Sequence, residues 1–338
     1  MLKDNHGRPL NYLRLAVTDR CNLRCHYCMP EHGLEWLSRA DLLSYEEMLR
    51  LCRVLVGLGI HKVRITGGEP FVRKDLMKFL HALSRLDGLQ KISLTTNGVV
   101  TAPLVPELKR LGIHSVNLSL DTLDRERFFQ IARRDELPNV LDTMDALLRH
   151  DIKVKINAVV MDGQNTQDIT PLAQMTKNLP VDVRFIEEMP FNGIAGGKPK
   201  ATEGDYGNAS PTWDYRRILD TLRAKWPDLE KTPDPPFSTS MNYRLPGHRG
   251  KVGIIPAWSR TFCGTCNRIR VTPQGVLKTC LYDHGVLNLR DLMREGLSDT
   301  ELTDHLLSAF NRRHKSGWEA EEARRGMPVE ESMATIGG

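Results

Sequence analysis

Cys21-Asn-Leu-Arg-Cys25-His-Tyr-Cys28-Met-Pro30 places three thiols within eight residues, at a C-x3-C-x2-C spacing. It follows directly on the strand-like run at 12–18, Tyr-Leu-Arg-Leu-Ala-Val-Thr. A cubane iron–sulfur cluster normally takes four cysteine thiolates. Three on one tight loop hold three irons and leave the fourth iron open to a non-protein ligand. That opening turns an electron store into a reaction centre. A zinc or redox knuckle is the plainer alternative, but zinc wants four ligands, and no fourth partner lies near this loop.

Outward from the loop, the chain alternates. Strand candidates fall at 12–18, 62–65, 91–94, 115–119, 152–160 and 181–186, with helix candidates near 44–58, 74–86, 104–111, 138–149 and 167–178. Ser44 with Glu47 three residues on has the spacing of a capping box. Six βα units in succession imply a parallel sheet, because each return between parallel strands needs a crossover helix. A complete barrel takes eight units, so six predict a partial (β/α)6 TIM-type barrel. The less common sequences recur just past the strand ends: the cysteine loop, Thr66-Gly-Gly-Glu-Pro70, Thr95-Thr-Asn-Gly98, Ser119-Leu-Asp121 and Glu187-Glu-Met-Pro190. That rim is where α/β barrels build active sites. One pocket fed by at least five loops is expected.

Residues 190–212 turn Gly-, Pro- and Asn-rich and predict a surface loop and a boundary. The division expected is 1–190, the barrel, and 191–338, a smaller α+β domain. In the latter a helix is predicted at 213–226, strands near 241–245 and 251–256, a hairpin over 269–279, helix over 288–313 and irregular chain beyond His314.

The 338 residues are 40% apolar and 26% charged, as for a globular domain. Formal net charge is +5, from 47 basic and 42 acidic side chains, which suits an anionic small molecule and falls short of a nucleic-acid-binding signature. No apolar run approaches a membrane span and no secretory signal opens the chain. Seven cysteines in that context predict metal ligation in a reducing, cytoplasmic compartment.

The loop, with Tyr27 just before its last cysteine, resembles the radical S-adenosylmethionine (SAM) enzymes. The resemblance implies that the open iron binds SAM, and that one electron cleaves it to a 5′-deoxyadenosyl radical. A second cysteine set, Cys263-Gly-Thr-Cys266, is followed by thirteen residues and Cys280. With His284 behind it, spacing alone fits a structural Cys3His zinc ribbon equally well. The intervening Asn267-Arg-Ile-Arg270 favours an anion docking at the metal, which guanidinium groups bind bidentately.

Taken together, the chain resembles the GTP 3′,8-cyclase (MoaA) family of molybdenum cofactor biosynthesis along its length. The resemblance implies two [4Fe-4S] clusters, on Cys21, Cys25 and Cys28 and on Cys263, Cys266 and Cys280, the second binding the guanine of GTP. By the same resemblance Tyr27, Gly68, Ser119 and Met189 contact SAM, while Arg14, Arg64, Thr95, Lys155, Arg268, Ile269 and Arg270 contact GTP. Gly67 and Gly68 suit close backbone approach to a ligand. Arg14, Arg268, Arg270 and the final Gly337-Gly338, which in that family inserts into the active site, are the implied catalytic positions. The family reaction takes the 3′ hydrogen of GTP and joins C3′ to C8, in a cavity expected between barrel and C-terminal domain. An external one-electron donor is required, and the product passes to cyclic pyranopterin monophosphate synthase. A homodimer is compatible with this, while nucleic acid and membrane are not expected as partners. Cys52, on the apolar side of the first helix, is expected in the core, and His26 at the surface.

Overall fold

A computed structural model describes residues 2–189, 191, 212–324 and 331–337. The predicted 190–212 loop, except for residues 191 and 212, and Gly338 lie outside the described residues.

The predicted strands form where alternation placed them: β1 Tyr12–Ala16, β2 Lys62–Thr66, β3 Lys91–Thr96, β4 Ser115–Ser119, β5 Lys153–Val160 and β6 Asp182–Glu187. They pair in chain order, all parallel. Helices α1 Tyr45–Gly57, α2 Leu76–Ser84, α3 Val105–Arg110, α4 Arg125–Ala132, α5 Leu137–Arg149 and α6 Ile169–Met175 carry the crossovers. Of these, α4 was not foreseen. Ser44 closes its capping box with Glu47, and Cys52 is fully buried.

The C-terminal residues add α7 Tyr215–Lys225 and strands β7 Glu230–Lys231, β8 Met241–Arg244, β9 Lys251–Ile255, β10 Arg268–Val271, β11 Val276–Lys278 and β12 Leu287–Asn288. These extend the same sheet at both edges, in the order β12-β11-β10-β1-β2-β3-β4-β5-β6-β9-β8-β7. β10 is parallel to β1 and β9 is parallel to β6, so the parallel run is eight strands, two of them from the C-terminal part. Helices α8 Leu289–Arg294 and α9 Asp299–Phe310 follow. Beyond His314, where irregular chain was expected, stand two short helices, α10 Gly317–Glu322 and α11 Met333–Ile336. Ser316 and Ser332 cap them by accepting from the amides of Glu319 and Ala334, a local device that satisfies a helix's free first-turn N–H groups.

Period-two register gives the sheet two unlike faces. Leu13, Val63, Ile92, Val116, Val154, Val183, Val252 and Ile269 share a face; they are buried and pack with the helices in one core. The opposite face carries Tyr12 and Arg14, Lys62 and Arg64, Ser93 and Thr95, Asn117 and Ser119, Lys155 and Asn157, Arg184, and Arg268 and Arg270. Barrel interiors are ordinarily filled by branched apolar side chains. Here the inner positions are polar and cationic, and a cavity stands in place of that packing.

Candidate active site

The cysteine loop is tied down on each side. The amides of Cys28 and Met29 both donate to the Cys25 carbonyl, making a tight turn. Arg24 N and His26 N donate to the Ala132 and Ile131 carbonyls at the end of α4. Asn97 Nδ2 reaches Asn22 Oδ1 at 2.7 Å and Cys21 Sγ at 3.6 Å. His26 is half-buried here, not exposed as expected, because its backbone is drawn onto α4. Gly67 and Gly68 have a further reason to lack side chains. A Cβ at Gly68 would overlap the carbonyl of Arg20 and approach that of Asp19 to 2.8 Å; one at Gly67 would overlap that of Thr18. The strand-end glycines thus let the chain entering the cysteine loop lie directly on them.

The second cysteine set is held from the N-terminal residues and from beyond α9. Arg313 donates to Cys266 Sγ at 3.2 Å and to the Cys266 carbonyl, while Gly317 N lies 3.4 Å from Cys263 Sγ. Arg8 donates to the Cys263 carbonyl, and Asp4 pairs with both Arg8 and Arg313. Burial raises the thiol pKa at Cys266, but Arg268 and Arg313 outweigh it and bring it down to about 7. His284 is exposed. Among the described residues no three His, Cys, Asp or Glu side chains converge on a single-ion site. Each of the two sets of three sulfurs is supplied with N–H donors, Leu23 N and Asn97 Nδ2 on Cys21 Sγ, and Gly317 N and Arg313 on Cys263 and Cys266 Sγ.

All six cysteines open onto one cavity, lined also by Tyr27, Gly68, Ser119 and Met189 and by Arg14, Thr95, Arg268 and Arg270. Tyr27 Oη donates to Asp121 Oδ2 at 3.1 Å, and Asp121, pushed up by burial to about 6, accepts also from Val159 N. Arg64, Lys155 and Ile269 are not in the lining. Arg64 lies beneath it, its Nε on Tyr12 Oη at 2.6 Å and its Nη1 on the Leu94 carbonyl. Lys155 shares a strand face with cavity-lining Asn157. Ile269 turns its side chain into the apolar core. Gly337 meets the site through its carbonyl, which accepts from Arg270 Nη1.

Sequence reading missed Arg184, which lines the cavity from β6. Its signal was a charge at the same strand parity as Asn157 in the neighbouring register. Arg14 Nε and Arg184 Nε are both enclosed with no hydrogen-bond partner, and among the described residues neither guanidinium meets a carboxylate in an ion pair. Burial lowers Lys155 to about 7 and Arg184 to about 10, with mutual repulsion among the cations adding to it. Asp182 and Tyr12 offset part of this charge, and an anion in the cavity would offset more of it.

The profile of the radical SAM superfamily matches residues 15–176, and that of Molybdenum Cofactor Synthesis C matches residues 181–318. GTP 3′,8-cyclase of Syntrophomonas wolfei is 38% identical over 341 residues, covering 99% of both chains. Molybdenum cofactor biosynthesis protein 1 of Bos taurus is 42% identical over 93% of this chain but only 48% of its own, so the chain spans about half the length of that relative. The fold resembles that of Streptococcus suis SuiB bound to S-adenosylmethionine, with a TM-score of 0.59 at 16% identity over 88% of this chain and 68% of SuiB. No helix among the described residues is long and apolar enough to cross a membrane. Likeness that runs through both halves and the whole length of a bacterial relative places this chain in the GTP 3′,8-cyclase family of radical SAM proteins of molybdenum cofactor biosynthesis.

Proposed function

We propose that the chain converts GTP to 3′,8-cyclo-7,8-dihydro-GTP, the first step of molybdenum cofactor biosynthesis, with SAM and two [4Fe-4S] clusters. The observation that carries this reading is the single cavity onto which both cysteine sets and the orphaned guanidinium groups of Arg14 and Arg184 open. Cys21, Cys25 and Cys28 would hold the cluster that, with SAM, would supply the radical for hydrogen abstraction from the ribose. Residues 1–190 serve that chemistry, and residues 191–338 bring the second set, Cys263, Cys266 and Cys280, which would hold a cluster able to bind the guanine. Tyr27, Gly68, Ser119 and Met189 hold SAM; Arg14, Thr95, Arg268 and Arg270 hold GTP, with Arg64 and Lys155 adding positive charge from behind the lining. The triphosphate neutralises the cations, which fixes the ribose against the first cluster's side of the cavity and keeps water from the radical.

The seven unpaired cysteines fit a reducing, cytoplasmic setting. An external one-electron donor feeds the site, and cyclic pyranopterin monophosphate synthase consumes the product. A homodimer is compatible with this reading.

The test is release of 5′-deoxyadenosine by anaerobically reconstituted, reduced protein given SAM and each nucleoside triphosphate in turn. Release stimulated by GTP alone, with matching GTP loss, is expected. Release indifferent to nucleotide would sink the cyclase reading.

A further inference from the structure

Lys278 is a fully buried lysine on β11, and its side chain lines the cavity. Its Nζ donates to both carboxylate oxygens of Glu331, at 2.7 and 2.8 Å. Glu331 opens the segment 331–337, which crosses the cavity: Met333 and Ala334 line it, and Ser332 Oγ donates to the Cys28 carbonyl at 2.6 Å. At the other end the Gly337 carbonyl accepts from Arg270. Arg270 and Lys278 are cross-strand partners in the β10–β11 pair. One hairpin therefore grips both ends of the segment, and α11 spans the distance between the two grips.

The fit at Gly337 leaves little room for error. Its φ is +79°, and a Cβ there would sit 2.5 Å from Thr66 Oγ1 and 2.8 Å from Ala16 Cβ. Among the described residues Glu331 has one further ion-pair partner, Arg324 Nη1 at 3.4 Å, which also reaches the Tyr282 carbonyl at 3.5 Å. Asp283, the other acid near Lys278, is engaged by the amides of Thr279, Cys280 and Gly285. The ammonium of Lys278 thus has its direct carboxylate partner on the segment it would hold.

We infer that Lys278 is a positioning residue: through Glu331 it seats the segment 331–337 so that Gly337 reaches the cavity beside Arg270. The inference rests on the proposed function only for what Gly337 does there. A buried ammonium left without its carboxylate is strongly unfavourable, so the grip works in both directions. Lys278 holds the segment, and the segment satisfies Lys278.

The experiment compares holoprotein with K278M, E331Q, the double variant and K278R. Two readouts are taken: hydrogen exchange of the amides in 331–337, and GTP-dependent 5′-deoxyadenosine release. Replacing the lysine by an apolar chain of similar length removes the buried charge and spares the fold, which unchanged exchange in β1–β6 checks. Expected are exchange in 331–337 faster by roughly tenfold in K278M and E331Q, a kcat lower by roughly tenfold with unchanged KM for GTP, and no further loss in the double variant. K278R should restore protection. Wild-type exchange in K278M would overturn the inference. So would a raised KM with the segment still protected, since Lys278 would then be holding substrate itself. If the wild type consumes no GTP, the cyclase reading fails while the exchange data still decide the grip.

Discussion

Tyr12 sits where a phenol is rarely found, among cations on four strands. Arg64 Nε is 2.6 Å from its oxygen and Lys62 Nζ lies 4.2 Å from the ring centroid, with Arg14 on its own strand, Arg268 across β10 and Arg184 on β6. Burial raises its pKa, but Arg64, Arg14 and Lys62 outweigh that and bring it to about 6. A tyrosine in the unfolded chain titrates near about 10. Between those values the folded protein holds fewer protons than the unfolded one, so stability rises with pH across the window. The stability lost in Y12F should therefore grow from about pH 6.5 to about pH 8.5, read as urea midpoints. A constant difference would mean the phenol stays protonated. The same charge opposes a triphosphate, and Lys155, lowered by burial to about 7, loses its proton over the same range. Nucleotide affinity in wild type should consequently fall as pH rises through about 7, less steeply in Y12F. None of this was legible beforehand. Tyr12 and Arg184 were read as strand residues, and a strand's parity says which side chains share a face without saying what the opposite wall brings to them.

Secondary-structure elements were the best-read level, for a local reason. A capping box needs only residues three apart, and Ser44 accepts from Glu47 N at 3.1 Å while Glu47 accepts from Ser44 N at 2.7 Å. Arg294 of α8 also binds Glu47 at 2.7 Å, so the cap doubles as a tie between helices. S44A should cost about 1 kcal/mol in chemical denaturation, the usual value for an N-cap. A cost near zero would show that the tie to Arg294 carries the helix start unaided. The glycine pair after β2 makes a sharper case. Its value was read as room for a ligand, whereas the nearest obstacle is the backbone of Thr18, Asp19 and Arg20. G68V must push that backbone away, and Cys21 moves with it. The expected result is loss of roughly half the iron after anaerobic reconstitution, with the set on Cys263, Cys266 and Cys280 still loaded. Full iron content with SAM binding lost would instead return Gly68 to a purely ligand-facing role. By contrast, α4 was missed because it is only eight residues long and offers a short apolar face, Phe128, Ile131 and Ala132, too few for a helical period to stand out.

At the scale of the molecule, strand partners are set by chain closure over long separations, which local pattern does not encode. The strand candidate at 251–256 and the hairpin over 269–279 were foreseen, but not that they would lie parallel to β6 and β1 as the outer strands of the eight. This interleaving makes a definite statement about how the protein folds. A fragment of residues 1–190 would bare the outer edge of β1 and the outer edge of β6, each a row of unpaired N–H and C=O groups. It would also strand buried Glu187, whose carboxylate accepts from Tyr215 N, Ser259 N and Ser259 Oγ, all C-terminal to the cut. Asp4 and Arg8 would lose Arg313 and the carbonyls of Cys263, His314 and Lys315. Unsatisfied buried polar groups cost about 1–3 kcal/mol each, against a total stability of about 5–15 kcal/mol for an ordinary domain. The fragment should therefore associate or aggregate, and co-production with residues 191–338 should return a soluble complex, both read by sedimentation velocity. A monomeric fragment that unfolds cooperatively would mean that β1–β6 stand alone, and that the C-terminal strands merely dress a finished barrel.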